Sequence, residues 1–244
     1  MRWLDGTVWV QDTVEMPRPT TGANLRDSFL PGIAAVMLGL VRAGDASLRL
    51  GPIDLLRFGT PIVSAAAAEW PIEGGWLAGT PGGSWRLEYS NGKLIGSVKG
   101  YRPRLPAPVY ALTQLPAHHL LTRLYLLRLR GRDPAPGPVA TSAGRMRAAA
   151  IDIAFCATLA GLAGRRRRIR TVLGIALAYH VTCWSVSGRT LGAMVMNQRV
   201  VAIDGSRLTP AQALLRFLAL PVGWIRGRPD HDEIACTDVI SARP

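Results

Sequence analysis

The sequence predicts an α+β N-terminal domain with a small antiparallel sheet, followed by an all-α membrane helical domain of two to three apolar helices. Three observations carry that prediction. Apolar and polar residues alternate between glycine turns over residues 69–100. The proline-rich stretch Asp133-Pro134-Ala135-Pro136-Gly137-Pro138 then interrupts every pattern. Beyond it lie three apolar runs of helical length, 148–164, 171–187 and 211–225. The expected boundaries are therefore a domain over 1–132, a linker over 133–142 and a helical domain over 143–241.

Within the first domain, the opening MRWLDGTVWVQDTVEM carries acids from Asp5 onward and has no continuous apolar core. It does not read as a secretory signal, so this domain is expected on the cytosolic side. Residues 30–42 (LPGIAAVMLGLVR) are apolar but short for a span and predict a buried core helix. In Ser84-Trp85-Arg86-Leu87-Glu88-Tyr89 the apolar residues alternate with charges, and Asn91-Gly92 is the strongest hairpin signal in the chain. Trp70, Trp76, Trp85 and Tyr89 are candidates to line an apolar pocket; core packing is the alternative use of the same rings. Residues 115–132 place Leu120, Leu124 and Leu127 at helical spacing with arginines on another face. That helix either lies on a membrane surface or packs on the sheet.

The chain has 244 residues, with 29 Lys and Arg against 16 Asp and Glu, a net charge of +13. Lys93 and Lys99 are its lysines, so the positive charge is almost entirely guanidinium. A pI near 11.0 would suit nucleic acid, but 48% of residues are hydrophobic and 18% charged. Arginines beside apolar runs instead point to a lipid bilayer with anionic headgroups as partner, with a protein partner or second copy also expected and nucleic acid not. Cys156, Cys183 and Cys236 are too few and too dispersed for a disulfide framework. His180 with Cys183, and His231 with Cys236, match no zinc spacing, and His118-His119 reads as a satisfied or surface pair. No metal, cofactor or catalytic motif is expected; Gly74-Gly75 and Gly82-Gly83 lack a phosphate-loop context.

Hydropathy leaves the C-terminal part open. The run 171–187 has no formal charge, whereas 148–164 contains Asp152 and 211–225 contains Arg216 and Pro221. A soluble helical bundle with buried polar residues would show the same pattern. Orientation is equally open. Arg128, Arg130, Arg132, Arg145, Arg147, Arg189 and Arg199 would share one side, and Arg165-Arg166-Arg167-Arg168 with Arg170 the other, unless the first two helices form a re-entrant hairpin.

Four pieces in order resemble the RDD family. Arg145-Met146-Arg147-Ala148-Ala149-Ala150-Ile151-Asp152 is similar to its first helix. Ser187-Gly188-Arg189-Thr190-Leu191-Gly192 and 198–209 (QRVVAIDGSRLT) resemble the segment after its second, continued by Ala213-Leu214-Leu215-Arg216. Residues 231–240 (HDEIACTDVI) resemble its closing motif. The resemblance implies that Arg145, Asp152 and Asp232 are the name-giving trio, in a multi-pass protein of the cell membrane. Family members usually have longer, oilier helices, and the Arg165-Arg166-Arg167-Arg168 run is atypical of the first loop. Family activity is mostly unassigned, with sodium–proton antiport attributed to some members from halophiles.

Arg145 and Asp152 are two helical turns apart, roughly 10 Å of rise, too far for a direct ion pair on one straight helix. An acid in an apolar helix must find a partner or a proton; Tyr179, His180 and Arg216 are the candidates. Asp152 is then either an ion or proton site or, with Asp232 and the arginines, packing glue between helices. The functional expectation is a transport-related or accessory membrane protein. The alternative is a membrane-anchored module whose N-terminal sheet captures an apolar ligand or partner.

Overall fold

The computed structural model describes residues 2–162 and 168–241. The chain divides into two compact units, Met1–Asp133 and Pro134–Pro244.

The first unit comprises β1 (Arg2–Leu4), β2 (Thr7–Glu15), α1 (Gly22–Val36), β3 (Arg42–Ala43), β4 (Ser47–Leu50), β5 (Ile53–Phe58), β6 (Ile62–Val63), β7 (Ala67–Gly74), β8 (Ser84–Ser90), β9 (Lys93–Tyr101), α2 (Ala107–Leu112) and α3 (Gln114–Arg130). Its antiparallel sheet runs β1-β2-β9-β8-β7-β5-β4-β3, with β6 beside β7. The sheet is thus much larger than residues 69–100. The strand β2 carries a period-two pattern of its own, burying Val8, Val10 and Val14 and exposing Trp9, Gln11, Thr13 and Glu15. At the Asn91-Gly92 turn both residues have positive φ, 51° and 73°, as a two-residue hairpin matching strand twist requires.

Helix α1 starts eight residues earlier than the apolar run suggested. Thr21 caps it by accepting a hydrogen bond from the Asn24 amide at 3.3 Å. Leu25, Phe29, Ile33 and Val36 form its buried stripe, and the helix ends before Leu38 and Gly39, whose φ angles are 53° and 81°. Phe29 is the hub of the core, with ring centroids 4.2 Å from Trp70, 5.4 Å from Phe58 and 5.5 Å from Trp85. Of the two uses for residues 115–132, the structure takes the packed one. Leu124, Tyr125, Leu126 and Leu127 of α3 are all buried, since the helix touches both the sheet and α1. Gly96 lets Thr122 approach the sheet, where a Cβ would press on its methyl at 2.9 Å.

The second unit comprises α4 (Ser142–Leu162), α5 (Arg168–Val186), α6 (Leu191–Val195), β10 (Gln198–Ala202), α7 (Pro210–Arg226), α8 (Asp230–Ala235) and β11 (Thr237–Ser241). It is not all helix: β10 and β11 pair antiparallel. Nor is the whole proline-rich stretch a spacer. The Ala140 amide donates to the Val239 carbonyl at 2.9 Å, and the Ser241 amide to that of Pro138 at 2.8 Å, so 138–140 lies along β11. Among the described residues one helix, α5 over Ile169–Val186, is long and apolar enough to cross a membrane. The expectation of two to three such helices is therefore met by one. Helix α4 spends its length on Arg145, Arg147 and Asp152, and α7 has 17 residues, including Arg216. The basic run Arg165-Arg166-Arg167-Arg168 falls outside the described residues except for Arg168, which opens α5.

Candidate functional site

Two buried polar clusters occupy the second unit. The first surrounds Asp152, which is 4% exposed in the middle of α4. Its Oδ1 accepts from the Tyr179 hydroxyl at 2.9 Å and from the Gly192 amide at 2.8 Å. Its Oδ2 accepts from the Thr190 hydroxyl at 2.7 Å. The Tyr179 oxygen in turn accepts from the Leu191 amide at 2.6 Å, and Thr190 caps α6 through the Ala193 amide at 3.2 Å. One carboxylate therefore joins α4, α5 and the start of α6. Gly192 is required on two counts: its amide faces Asp152, and a Cβ there would collide with the Ala148 carbonyl oxygen.

The second cluster centres on Asp232 at the start of α8. Arg216 from α7 and Arg145 from α4 both ion-pair with it, one on each oxygen. The Thr237 hydroxyl adds a donor to Oδ1 at 3.2 Å. Burial opposes the charge on Asp232, but Arg216 and Arg145 outweigh it and bring its pKa down to about 2. The Arg216 guanidinium also lies 5.0 Å from the Trp184 ring centroid, a cation–π contact out of water. His231, with Nε2 3.8 Å from Asp232, is held neutral: burial and then Arg216 push its pKa down to about 4. Gln212 completes the region by donating to the Ala235 carbonyl at 2.7 Å.

The residues singled out in the sequence are thus split between these clusters. Arg145 and Asp152 face different partners, as their separation along α4 demands. Of the three candidate partners for Asp152, Tyr179 is the one bonded to it. Arg216 goes to Asp232, and His180 Nδ1 turns back to the Ala176 carbonyl at 2.8 Å, its ring packed on Trp184 and Phe217. Thr190, Gly192, Thr237 and Trp184 were not singled out. Thr190 and Gly192 had a signal, a threonine cap and a glycine two apart in a family-like segment.

The aromatic quartet does not form a pocket. Trp70 and Trp85 are filled core, Tyr89 is half-buried, and Trp76 is 55% exposed beyond the end of β7. The His118-His119 pair bridges α3 and β2. His119 Nδ1 is 2.8 Å from Asp12 Oδ1, while His118 sits edge-on to Trp85, its pKa pushed down to about 4 by burial. Among the described residues no three His, Cys, Asp or Glu side chains converge as a metal site. A shallow groove of about 360 Å³ lies between α5 and the start of α7; Leu177, Val181, Pro210 and Leu214 are among its walls.

Both clusters draw on residues from one continuous stretch, and that stretch has a recognisable likeness. Residues 170–235 match the model of the RDD family. The second unit carries an RDD domain. The match contains Tyr179, Thr190, Gly192, Arg216 and Asp232; Arg145 and Asp152 precede it and reach it through the contacts above. An RDD domain marks a membrane-associated protein. No curated protein and no solved structure matches the chain.

Proposed function

We propose that the chain is a multi-pass, non-catalytic accessory protein of the cell membrane, in which the RDD domain is a lipid-embedded scaffold. The observation that carries this reading is α5, whose apolar window is 6% buried within the protein. A core helix of a water-soluble bundle would be mostly covered. Ile153 and Leu159 on α4, and Leu214, Leu218 and Val222 on α7, extend the uncovered apolar surface to three helices. Asp152, Arg216 and Asp232 lie inside, where each meets a partner, the arrangement that a hydrocarbon solvent favours, while Arg147, Arg170 and Arg226 toward the helix ends are exposed.

Helices α4 and α5 are packed neighbours and enter as a hairpin, with α7 as the third membrane element. Seven arginines lie outside the two helices in the sequence against five between them, a bias that supports a cytosolic N-terminal unit. A transport role for Asp152 gains less support, because a carried ion would have to displace three donors. Capture of an apolar ligand by the N-terminal sheet also loses ground, since Trp70 and Trp85 are already enclosed.

Alkaline carbonate extraction of host membranes tests the proposal. The chain is expected in the pellet and to be released only by detergent. Recovery in the carbonate supernatant overturns it.

A further inference from the structure

Five large apolar side chains stand exposed at one end of the N-terminal sheet. Leu38 and Leu40 follow α1, Leu50 and Ile53 flank the Gly51-Pro52 turn, and Trp76 lies just past β7. Pairing gathers them. Leu50 is opposite Ile53, and the Arg42–Arg49 register carries Leu40 to the level of Gly51. The Trp76 amide donates to the Asp54 carbonyl at 2.8 Å. Leu40 is 67% exposed. Leu38 holds φ at +53°, a conformation unfavourable for leucine, and is exposed.

Charge is the second observation. Arg42 and Arg49 face each other directly across β3 and β4, a like-charge pair that weakens a sheet unless an anion lies between or above them. Arg102 and Arg104 flank the Trp76 loop: the Gly79 amide donates to the Arg102 carbonyl at 2.8 Å, and the Arg104 amide to that of Leu77 at 3.0 Å. Asp54, the acid next to the Gly51-Pro52 turn, is paired with Arg49 at 3.0 Å; Asp5 in the β1–β2 turn and Glu73 near the end of β7 are the other acids toward this end, against Arg42, Arg49, Arg102 and Arg104. Asp45 belongs to the turn at the opposite end of β3 and β4.

We propose that this end of the N-terminal unit is a membrane-contact surface. Its leucine, isoleucine and tryptophan tips enter the acyl region, and its arginines engage anionic phosphate headgroups. The inference rests on the membrane reading of the RDD domain, which keeps a bilayer within reach of the same chain. Lipid is the occupant that fits. The apolar groups sit on separate turns rather than in a groove, a tryptophan suits the interface, and guanidinium groups bind phosphate in bidentate fashion. Headgroup contact thus belongs to these loops and not to α3, whose apolar stripe is spent on the sheet.

The test uses the full chain reconstituted in vesicles of phosphatidylcholine, with or without phosphatidylserine, containing acyl-chain-quencher lipid. An environment-sensitive fluorophore is placed at Ile53→Cys, and in separate preparations at Leu173→Cys on α5 and Thr13→Cys on the open sheet face. With phosphatidylserine, the Ile53 probe is expected to be quenched and blue-shifted and the Thr13 probe unaffected. Combining Arg42→Glu, Arg102→Glu and Arg104→Glu, or Leu40→Ser with Leu50→Ser, should lower the inserted-to-free ratio about tenfold. Quenching at Leu173 without quenching at Ile53 overturns the contact surface and leaves the membrane scaffold standing. Quenching at neither overturns both. Equal quenching at Ile53 in both vesicle types overturns the recognition of anionic headgroups. A blue shift that appears only with added native membrane proteins, without lipid quenching, overturns lipid in favour of a protein partner.

Discussion

The two units are built with opposite polarity. In the first, Phe29, Trp70, Trp85 and Tyr125 fill the interior, while Glu69, Arg86 and Glu88 form an ion-pair ladder on the open sheet face. In the second, Asp152, Thr190, Gln212, Arg216, Asp232 and Thr237 are buried, while Leu173, Leu214 and Leu218 are exposed. Each pattern minimises the surface that its solvent would penalise. For the sheet unit, apart from the apolar end described above, that surface is apolar; for the helical unit, under the reading proposed above, it is ionic.

The sharpest way to break the comparison is to remove one charge from each unit. Asp232→Ala leaves Arg216 buried without its carboxylate and should cost about 3–5 kcal/mol in thermal or urea unfolding of the detergent-solubilised chain. Replacing both partners, Asp232→Leu with Arg216→Met, should recover most of that loss; a double variant no better than the single would show that the pair is more than packing. Acid comes next. His118, facing Trp85, Thr122, Asp12 and His119, has its pKa pushed down to about 4, below its unfolded value near 6.5. The unfolded chain therefore takes up the proton first. Stability from this group is intact above pH 6.5 and is lost progressively down to pH 4, by on the order of 3 kcal/mol. Hydrogen exchange of the α3 amides at pH 7 and 4.5 measures this, and His118→Leu should flatten it. The smallest effect belongs to Arg86→Ala. Its ladder is solvated, so a change of less than about 1 kcal/mol is expected, and a larger one would mean the open face is covered.

Local chemistry was legible in the sequence where it acts over a few residues. Asn91-Gly92 announced its hairpin because only certain residues tolerate positive φ, and the prolines after Asp133 marked the change of unit. The extent of the sheet was harder to read. The alternation in β2 is plain, but its partner β9 lies some eighty residues away, and no local signal states that pairing. The same limit governs the site. A separation of seven positions between Arg145 and Asp152 was enough to rule out a direct pair, yet which guanidinium meets which acid depends on how α4, α7 and α8 cross. Tyr179 could be shortlisted from its place on the second apolar run. The Gly192 amide could not, because a backbone donor has no identity in a sequence. Trp70, Trp76, Trp85 and Tyr89 looked equivalent by type, and the turn after β7 alone separates the exposed member from the others.

The strand contact between 138–140 and β11 sets an order of events during synthesis. The residues that open the second unit find their pairing partner only after every intervening helix has emerged from the ribosome, and Arg145 waits equally long for Asp232. The sheet unit has all its strands by Tyr101 and can close while the helices are still being made. Until Asp232 arrives, the nascent helical unit holds Arg145 and Arg216 without their shared carboxylate, so its final compaction is a late step.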